Sequence, residues 1–445
     1  MAVLQSVVTK QPPRGAASPI DKRSGQGTNF FLVQSGSKRG ACRSQGRISV
    51  VGETKRKPAK PVAKKSAAAK PEATAAAPQP DAGPKKVTQI SCSRGLSAFM
   101  ADNKFSFGFT SYQSGRLYLV GRLPQGKVSF HERHFMRAMG VAATPQRLYL
   151  AGQFQVWRLE DVMGGRVADG FDRNYVPRNA QTTGDLDVHE LGVEKSGRVI
   201  FVNTRFSCLS TFSLTHSFKP LWKPPFISRL APEDRCHLNG LAMDDGEPRY
   251  VTAVCKSDVI TGWRDRRAEG GCIMDVRNDR MVTEKLSMPH SPRLHNGKLW
   301  VLDSGRGRLA RVDPDTGATE TVTFLPGFAR GLAFHGHFAF VGLSLPRDGS
   351  FSGLELDAEL AKRDGEPWCG VQIVDTRSGD IVQWIRLTGE VRELFDVFVL
   401  PGVRCPKATG LLDGTIQNEI SIEDWSPADK RAPAPAPEVL AAAGA

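Results

Sequence analysis

One layout of residues recurs six times between residues 105 and 342 of the 445-residue chain. Each copy has a small or turn residue, a short apolar segment, a turn, and then a strand in which apolar and aromatic residues alternate with polar ones. The six copies are FSFGFTSYQSGRLYLVG, RAMGVAATPQRLYLAG, HELGVEKSGRVIFVN, HLNGLAMDDGEPRYVTAV, HSPRLHNGKLWVLDSG and FARGLAFHGHFAFVG. Their spacing of roughly thirty to fifty residues is typical of the blades of a β-propeller.

The repeat predicts an all-β body, a β-propeller in which six blades are preferred and seven are possible. A further strand, ELFDVFVL near Leu394, either closes the ring or starts a seventh blade. The rival architecture, a pair of β-sandwiches, would not predict six copies of one motif. Helical periodicity occurs in LELDAELAKRD, which we interpret as an insertion. The aligned anchor residues of the six copies are Gly108, Gly140, Gly192, Gly240, Arg293 and Gly331.

The net charge of +14 is concentrated in one part of the chain. Residues 1–87 contain 17 Lys or Arg and 4 Asp or Glu, whereas residues 88–445 contain 43 and 42. The first segment is rich in Lys, Ala and Pro and has few apolar groups to form a core, so we expect a disordered basic tail. Residues 426–445 have a similar Ala/Pro composition. The predicted propeller therefore spans residues 88–425, between two disordered tails.

Composition also bounds the class of protein. The eight Cys are scattered without CxxC or paired spacing, which favours reduced thiols in a cytoplasmic protein. The sequence has no apolar run of the ~18 residues that a transmembrane helix needs, so we expect no membrane partner. The P-loop, dinucleotide-binding and nucleophile-elbow patterns do not occur. The basic tail predicts weak nucleic-acid binding through phosphate contacts, or an inert linker.

Three histidines occupy equivalent places in three consecutive copies. In a propeller, residues just before each innermost strand face the mouth of the central channel. The position three residues before each anchor is occupied by Phe105, Arg137, His189, His237, His290 and Phe328. Three converging imidazoles could bind Zn²⁺ or Fe²⁺, with Glu190 as a general base. The alternatives are a polar ligand site without metal, or histidines that only bond the backbone of neighbouring blades.

Arginines near the same positions predict a partly cationic funnel. Such a funnel would suit a carboxylate, a phosphate or an acidic sugar. The opposite interpretation is that these arginines pair with Glu190, Glu390 and Glu393 across blades and bind nothing. The residues predicted to contact a ligand are Asn239, Arg293, Arg330, Arg392 and Glu390.

Two family resemblances follow from particular motifs. The segment HLNGLAMDDGEPRYVTAV resembles a blade of the gluconolactonase and strictosidine-synthase-like six-bladed propellers. In the lactonases the matching Asn contributes to a divalent-metal site, which the resemblance places on Asn239. The next blade departs from that pattern, because SPRLHNG has Arg293 where a lactonase has Asp, and Arg is a poor neighbour for Ca²⁺.

The second resemblance extends from about Phe107 to about Leu411. The motifs DVHELGV, CHLNGLA, MPHSPRLHNGKLWVLDSGRG and GFARGLAF are similar to a bacterial family of uncharacterised proteins, a domain of unknown function. It implies a propeller-like fold and no particular reaction.

The sequence thus leaves three functions open. The first is a propeller that binds a small polar or anionic ligand at the channel mouth. The second is a metal-dependent hydrolase or lyase with a three-His site. The third is a scaffold that docks a protein partner on its rim and sides, with the basic tail as an electrostatic tether.

Overall fold

The computed structural model describes residues 3–4, 88–351, 353–412 and 414–423. The predicted tails, residues 1–87 and 426–445, lie outside these ranges, except for the short strand Val3–Leu4. Of the predicted propeller, residues 88–425, all but residues 352, 413, 424 and 425 are described.

The strands are short and are separated by turns, as the alternating pattern predicts. In chain order the first thirteen are β1 (Val3–Leu4), β2 (Gln89–Cys92), β3 (Phe105–Ser111), β4 (Arg116–Arg122), β5 (Val128–His134), β6 (Val141–Ala143), β7 (Arg147–Ala151), β8 (Gln155–Asp161), β9 (Arg173–Thr182), β10 (Val188–Val193), β11 (Val199–Asn203), β12 (Cys208–Thr211) and β13 (Lys219–Trp222). The remaining strands are β14 (Leu238–Asp244), β15 (Glu247–Ala253), β16 (Gly271–Asp275), β17 (Arg280–Leu286), β18 (Pro289–His295), β19 (Lys298–Asp303), β20 (Arg308–Val312), β21 (Thr319–Phe324), β22 (Phe328–His335), β23 (Phe338–Ser344), β24 (Cys369–Asp375), β25 (Ile381–Thr388), β26 (Val397–Pro401) and β27 (Pro406–Ala408).

Two α-helices accompany these strands, α1 (Leu96–Asp102) and α2 (Glu355–Lys362). Helix α2 confirms the predicted insertion, which leaves the propeller between β23 and β24. Helix α1 was not predicted, because its seven residues form only two turns and bury two side chains, Leu96 and Met100. Short 3₁₀ turns cover Arg264–Arg266, Ser304–Arg306 and Thr415–Asn418. No helix in the described ranges is long and apolar enough to cross a membrane.

The strands form six sheets, one for each blade of a six-bladed β-propeller. From the inner strand outward, blade 1 is β26-β3-β4-β5 and blade 2 is β6-β7-β8-β9, with β27 added in parallel to β9. Blades 3, 4 and 5 are β10–β13, β14–β17 and β18–β21, each a four-stranded antiparallel meander. Blade 6 is β22–β25, extended at its outer edge by β2 and β1. The six-bladed prediction is therefore confirmed.

Blade 1 joins the two ends of the propeller. Its inner strand is β26, which pairs antiparallel with β3 and places Val399 opposite Phe107. The segment ELFDVFVL therefore closes the ring and does not start a seventh blade. The alignment of Gly108 with the inner strands was wrong, because Gly108 and Phe105 lie on β3, the second strand of the blade. Phe105 is a core residue, 2% exposed, and does not face the channel mouth.

Neighbouring blades are tied together by a repeated hydrogen bond. A Ser or Thr hydroxyl at the end of the second strand of one blade donates to a backbone carbonyl that leads into the inner strand of the next blade. Each bond gives a buried hydroxyl an acceptor in the next blade. The four examples are Thr110 to Met139 (2.6 Å), Thr204 to Leu238 (2.6 Å), Ser304 to Ala329 (2.7 Å) and Ser344 to Leu394 (3.2 Å).

The anchor glycines allow the inner strands to approach one another. At Gly140 a Cβ atom would lie 2.2 Å from the carbonyl oxygen of His189 in blade 3. Gly331 has φ +76°, and a Cβ there would lie 2.5 Å from the amide nitrogen of Val397 in blade 1. The repeated small residue therefore reflects close packing around the channel axis.

Candidate functional site

His189, His237 and His290 lie at the same end of the channel, as the alignment predicts. His189 is the second residue of β10, His290 is the second residue of β18, and His237 directly precedes β14. All three are buried, and the rings of His189 and His237 are 5.0 Å apart between centroids. The backbone at this mouth includes strained residues, since His237 and Asp187 both have φ near +50° without being glycine.

The rings of His189 and His290 are held in the same way in two blades. Nδ1 of His189 lies 2.9 Å from the carbonyl oxygen of Asp187 and 2.7 Å from the Thr204 hydroxyl. Nδ1 of His290 lies 2.8 Å from the carbonyl oxygen of Met288 and 3.2 Å from the Ser304 hydroxyl. A carbonyl oxygen only accepts, so each Nδ1 carries the hydrogen and each Nε2 has a lone pair. The interblade hydroxyls thus also fix these tautomers.

Burial keeps both of these imidazoles uncharged. It lowers the pKa of His189 to about 4 and holds the pKa of His290 well below its ordinary value. The positive charge of Arg330 contributes to both pKa shifts. Its guanidinium shares one aromatic neighbour with each imidazole, Phe395 with His189 and Phe328 with His290. Nε2 of His290 is a buried acceptor for which the described residues supply no donor.

His237 has a carboxylate partner instead of a hydroxyl. Its Nδ1 lies 3.0 Å from Asp234, and the indole N–H of Trp263 donates to the same carboxylate at 2.8 Å. The Trp263 ring also packs against the imidazole, with 4.3 Å between ring centroids. This arrangement orients His237 with Nδ1 toward Asp234 and Nε2 away from it.

The described residues contain no group of three or more His, Cys, Asp or Glu side chains placed to hold a metal ion. His189 and His237 are neighbours, but the three imidazoles do not form a joint ligand set. The predicted three-His site for Zn²⁺ or Fe²⁺ at His189, His237 and His290 therefore has no support from the geometry of the described residues.

Glu190, predicted as a general base, is part of a buried ionic cluster inside the channel. Its Oε2 accepts hydrogen bonds from the Leu241 amide and from Arg293 Nη1, each at 2.8 Å. The Asp396 carboxylate lies 3.9 Å from Arg293 and accepts the Val141 amide at 2.8 Å. Burial, reinforced by Glu190 and opposed by Arg293, raises the pKa of Asp396 to about 7. This geometry favours a structural role for Glu190.

Arg293, predicted to contact a ligand, uses its donors within the protein. Nε donates to the Leu332 carbonyl and Nη1 to the Pro292 carbonyl, both at 2.8 Å, in addition to the ion pair with Glu190. The residue therefore connects blade 5 to blades 3 and 6. A ligand could recruit this guanidinium only by breaking buried hydrogen bonds.

The other predicted ligand residues lie in different places. Asn239 is buried in the channel, where its Oδ1 accepts from the Thr252 hydroxyl at 2.7 Å and its Nδ2 has no partner among the described residues. Arg392 and Glu390 are exposed on the rim. Arg392 donates to the Pro346 carbonyl at 3.1 Å, and the Glu390 carboxylate is 4.0 Å from Arg116.

Arg330 is the predicted ligand residue that forms no direct ion pair among the described residues, and the carboxylate within its electrostatic range, Asp187, is itself paired with Arg137. None of its nitrogens forms a hydrogen bond or ion pair with the described residues, and its buried Nε has no acceptor. The guanidinium instead lies over three aromatic rings, 5.1 Å from Phe328, 5.6 Å from Phe395 and 5.7 Å from Tyr112. Cation–π contacts stabilise the charge without occupying its N–H donors.

A cavity of about 230 Å³ opens beside Arg330. Phe328 and Met288 border it from the inner side, while Arg347 and Leu354 border it from the insertion that contains α2. Arg347 is bound to Glu393 at 3.0 Å and to the Tyr112 hydroxyl, so its charge is already paired. The channel mouth therefore combines one unpaired guanidinium with an adjoining recess.

Sequence reasoning missed several residues that shape this mouth. Asp187 and Asp234 stand two and three residues before their histidines, in DVH and DRCH, and this short spacing could have indicated them. Tyr112 and Phe395 had no such signal, because they reach Arg330 from positions more than 60 residues away along the chain.

Six blades around a channel, with neutral imidazoles and an unpaired guanidinium at one end, define the class as a six-bladed β-propeller with a polar channel mouth. The chain belongs to a family known as a domain of unknown function, DUF4915, whose model matches residues 94–409. A comparison with curated proteins gave no match.

Several solved structures are similar to this chain. A structure of the nidogen/laminin complex aligns with 10% identity and a TM-score of 0.43, over 68% of this chain and 100% of that one. Virginiamycin B lyase from Staphylococcus aureus aligns with 8% identity and a TM-score of 0.32, over 68% and 99%. A streptogramin B lyase aligns with 10% identity and a TM-score of 0.34, over 64% and 76%.

Proposed function

We propose that this propeller binds a small anionic ligand at the mouth of its central channel, with Arg330 as the principal contact. The observation that carries the proposal is the unpaired guanidinium of Arg330 beside an open cavity. The arginines nearby are engaged, since Arg137 pairs with Asp185 at 3.2 Å and Arg293 pairs with Glu190. A partly buried guanidinium with no carboxylate in direct contact is costly unless a ligand supplies that contact.

The ring of His290, which packs against Phe328 at the edge of the cavity, is a candidate for a second ligand contact. The Nε2 lone pair of His290 is a buried acceptor with no donor, and a hydroxyl group on the ligand would satisfy it. Glycolate, which carries one carboxylate and one hydroxyl, is therefore a suitable probe, and acetate is its matched analogue without the hydroxyl.

Ligand-observed NMR titrations with glycolate and acetate test the proposal. A charged hydrogen bond contributes about 1.5–3 kcal/mol, so we expect Arg330→Gln to weaken binding of either anion by about tenfold or more. Arg94→Gln is the control, because Arg94 is exposed in the turn after β2 and the change removes the same charge. The proposal is contradicted if Arg330→Gln binds the two anions as tightly as the unchanged protein does. It is also contradicted if Arg330→Gln and Arg94→Gln lose the same amount of affinity.

A second candidate function is metal-independent acid–base chemistry by His237. The observation in its favour is that the Asp234 carboxylate lies 3.0 Å from Nδ1 of His237. The indole N–H of Trp263 donates to that carboxylate and fixes its position. A carboxylate on Nδ1 leaves Nε2 free to take a proton from a bound ligand. Nitrogen-15 NMR of the histidines should show His237 with its hydrogen on Nδ1 and with an Nε2 signal that shifts when glycolate is added. A hydrogen on Nε2, or no shift on addition, would rule out this function.

A further inference from the structure

We infer that the site selects monocarboxylates with an apolar body the size of one aromatic ring, and that the insertion between β23 and β24 provides this selectivity. The inference rests on the proposed function, because it extends the anion contact at Arg330 into the cavity next to it. The cavity has a cationic side and an apolar side, and each limits a different part of the ligand.

The cationic side supports one negative charge. Three basic residues border the cavity, Arg267, Arg330 and Arg347, against two acidic ones, Asp348 and Glu393. The lining therefore has one positive charge in excess. A planar guanidinium offers a pair of parallel N–H donors that matches the two oxygens of a carboxylate. A dianionic phosphate ester would need further donors from this lining.

The apolar side is built by the insertion. Phe351 and Leu354 border the cavity, are each 7% exposed, and pack in one hydrophobic cluster with Met288 and with Leu356 of helix α2. The amide of Phe351 donates to the Asp357 carboxylate at 2.9 Å, which fixes the segment against the first turn of α2. The wall is thus preformed and does not have to be ordered by the ligand.

Helix α2 is in turn fastened to the propeller. Glu355, its first residue, forms ion pairs with Arg306 at 2.9 Å and Arg308 at 2.7 Å, both in blade 5. The insertion leaves at the end of β23 and returns at β24, so its base is part of blade 6. The apolar wall therefore has a defined position relative to Arg330, which lies on the inner strand of that blade.

The volume accommodates a ligand with one aromatic ring. An enclosed apolar cavity of about 150 Å³ holds a benzene molecule, and drug-sized ligands occupy about 300–1,000 Å³. At about 230 Å³ this cavity has room for one ring with a short carboxylate arm. Phenylacetate has these features, and acetate carries the same charge without the ring.

The test compares acetate, phenylacetate and the uncharged 2-phenylethanol by NMR titration of the full chain. Burying a ring against apolar side chains should make phenylacetate bind at least about tenfold more tightly than acetate. Phe351→Ala should reduce this ratio to about threefold or less. Leu354→Ala is a second wall variant in case Phe351→Ala does not fold. Phe212→Ala, in a different cavity between blades 2 and 3, should keep the full ratio.

The outcomes separate this inference from the proposed function. If acetate binds through Arg330 but phenylacetate binds less than about threefold more tightly, or if neither wall variant changes the ratio, the selectivity inference is overturned and the anion site stands. If 2-phenylethanol binds as tightly as phenylacetate and Arg330→Gln has no effect on either, both are overturned. A ratio that falls in the folded wall variants and not in Phe212→Ala supports the inference.

Discussion

Replacing Glu190 by glutamine distinguishes a structural role for this residue from the predicted catalytic one. The Glu190 side chain is buried, and its Oε2 accepts from the Leu241 amide and from Arg293, both at 2.8 Å. Glutamine keeps the shape of the side chain and one acceptor oxygen but removes the negative charge that faces Arg293. Arg293 then keeps the more distant carboxylate of Asp396, at 3.9 Å.

The expected effect on stability follows from these contacts. Removing one partner of a buried ion pair costs about 3–5 kcal/mol. The remaining carboxylate of Asp396 offsets part of this loss, so we expect the lower end, about 3 kcal/mol. For a propeller of this size, such a change in the free energy of unfolding corresponds to a decrease in Tm of about 5 °C.

Urea unfolding followed by tryptophan fluorescence measures this change directly. Glu194→Gln in the same blade is the matched control, because Glu194 pairs with the half-exposed Arg198. A pair at the surface contributes about 0–1 kcal/mol, so the control should unfold nearly as the unchanged protein does. If Glu190→Gln is no less stable than Glu194→Gln, the structural assignment is wrong and Glu190 is free to act in chemistry.

Two further predictions concern the channel. Burial lowers the pKa of His189 from its ordinary 6.5 to about 4, so the unfolded chain binds this proton at a higher pH than the folded protein does. The contribution of His189 to the free energy of unfolding is therefore complete above pH 6.5 and decreases by up to about 3 kcal/mol as the pH falls to 4. Urea unfolding at several pH values between 4 and 7 should show that the free energy of unfolding depends less on pH in His189→Gln than in the unchanged protein. Equal pH dependence in the two proteins would contradict the buried, uncharged state of His189. Gly331→Ala places a Cβ 2.5 Å from the Val397 amide nitrogen at φ +76°, and should lower the free energy of unfolding by more than about 2 kcal/mol. Gly297 has a similar φ of +69° but open space around it, so Gly297→Ala should lower the free energy of unfolding by about 1 kcal/mol. Equal losses in thermal unfolding would show that backbone conformation, and not crowding at the axis, requires Gly331.

The number of blades could be predicted because each blade repeats one local pattern. Alternation of period two, turn dipeptides such as Asn296-Gly297, and a small residue where inner strands approach are all readable within a short window. Blade 1 was misaligned because its inner strand comes from the other end of the chain. The pairing of Val399 with Phe107 joins residues almost 300 positions apart, and no local pattern encodes it.

The candidate site was predictable in its residues but not in its pairing. The equivalent positions of the histidines follow from the repeat, and the hydroxyls that hold two of them follow the strands in FVNT and VLDS. Whether an arginine is free or paired depends on distances between blades. Arg293 stands at an anchor position and Arg330 directly precedes one, so the two look alike in the repeat. Only Arg293 pairs with Glu190, which is 103 positions away from it along the chain. Sequence alone could not separate them.

The contacts of Arg293 bear on the proposal that a ligand binds at the mouth and not within the channel. It stands where other blades have glycine, and its guanidinium contacts Glu190 in blade 3, the Leu241 carbonyl in blade 4 and the Leu332 carbonyl in blade 6. A side chain that reaches three other inner strands occupies the space around the axis. Because its charge is balanced there by Glu190, it offers an incoming anion neither room nor attraction. Arg330 forms no direct ion pair among the described residues and borders an open cavity, and for these reasons we propose it as the anion contact.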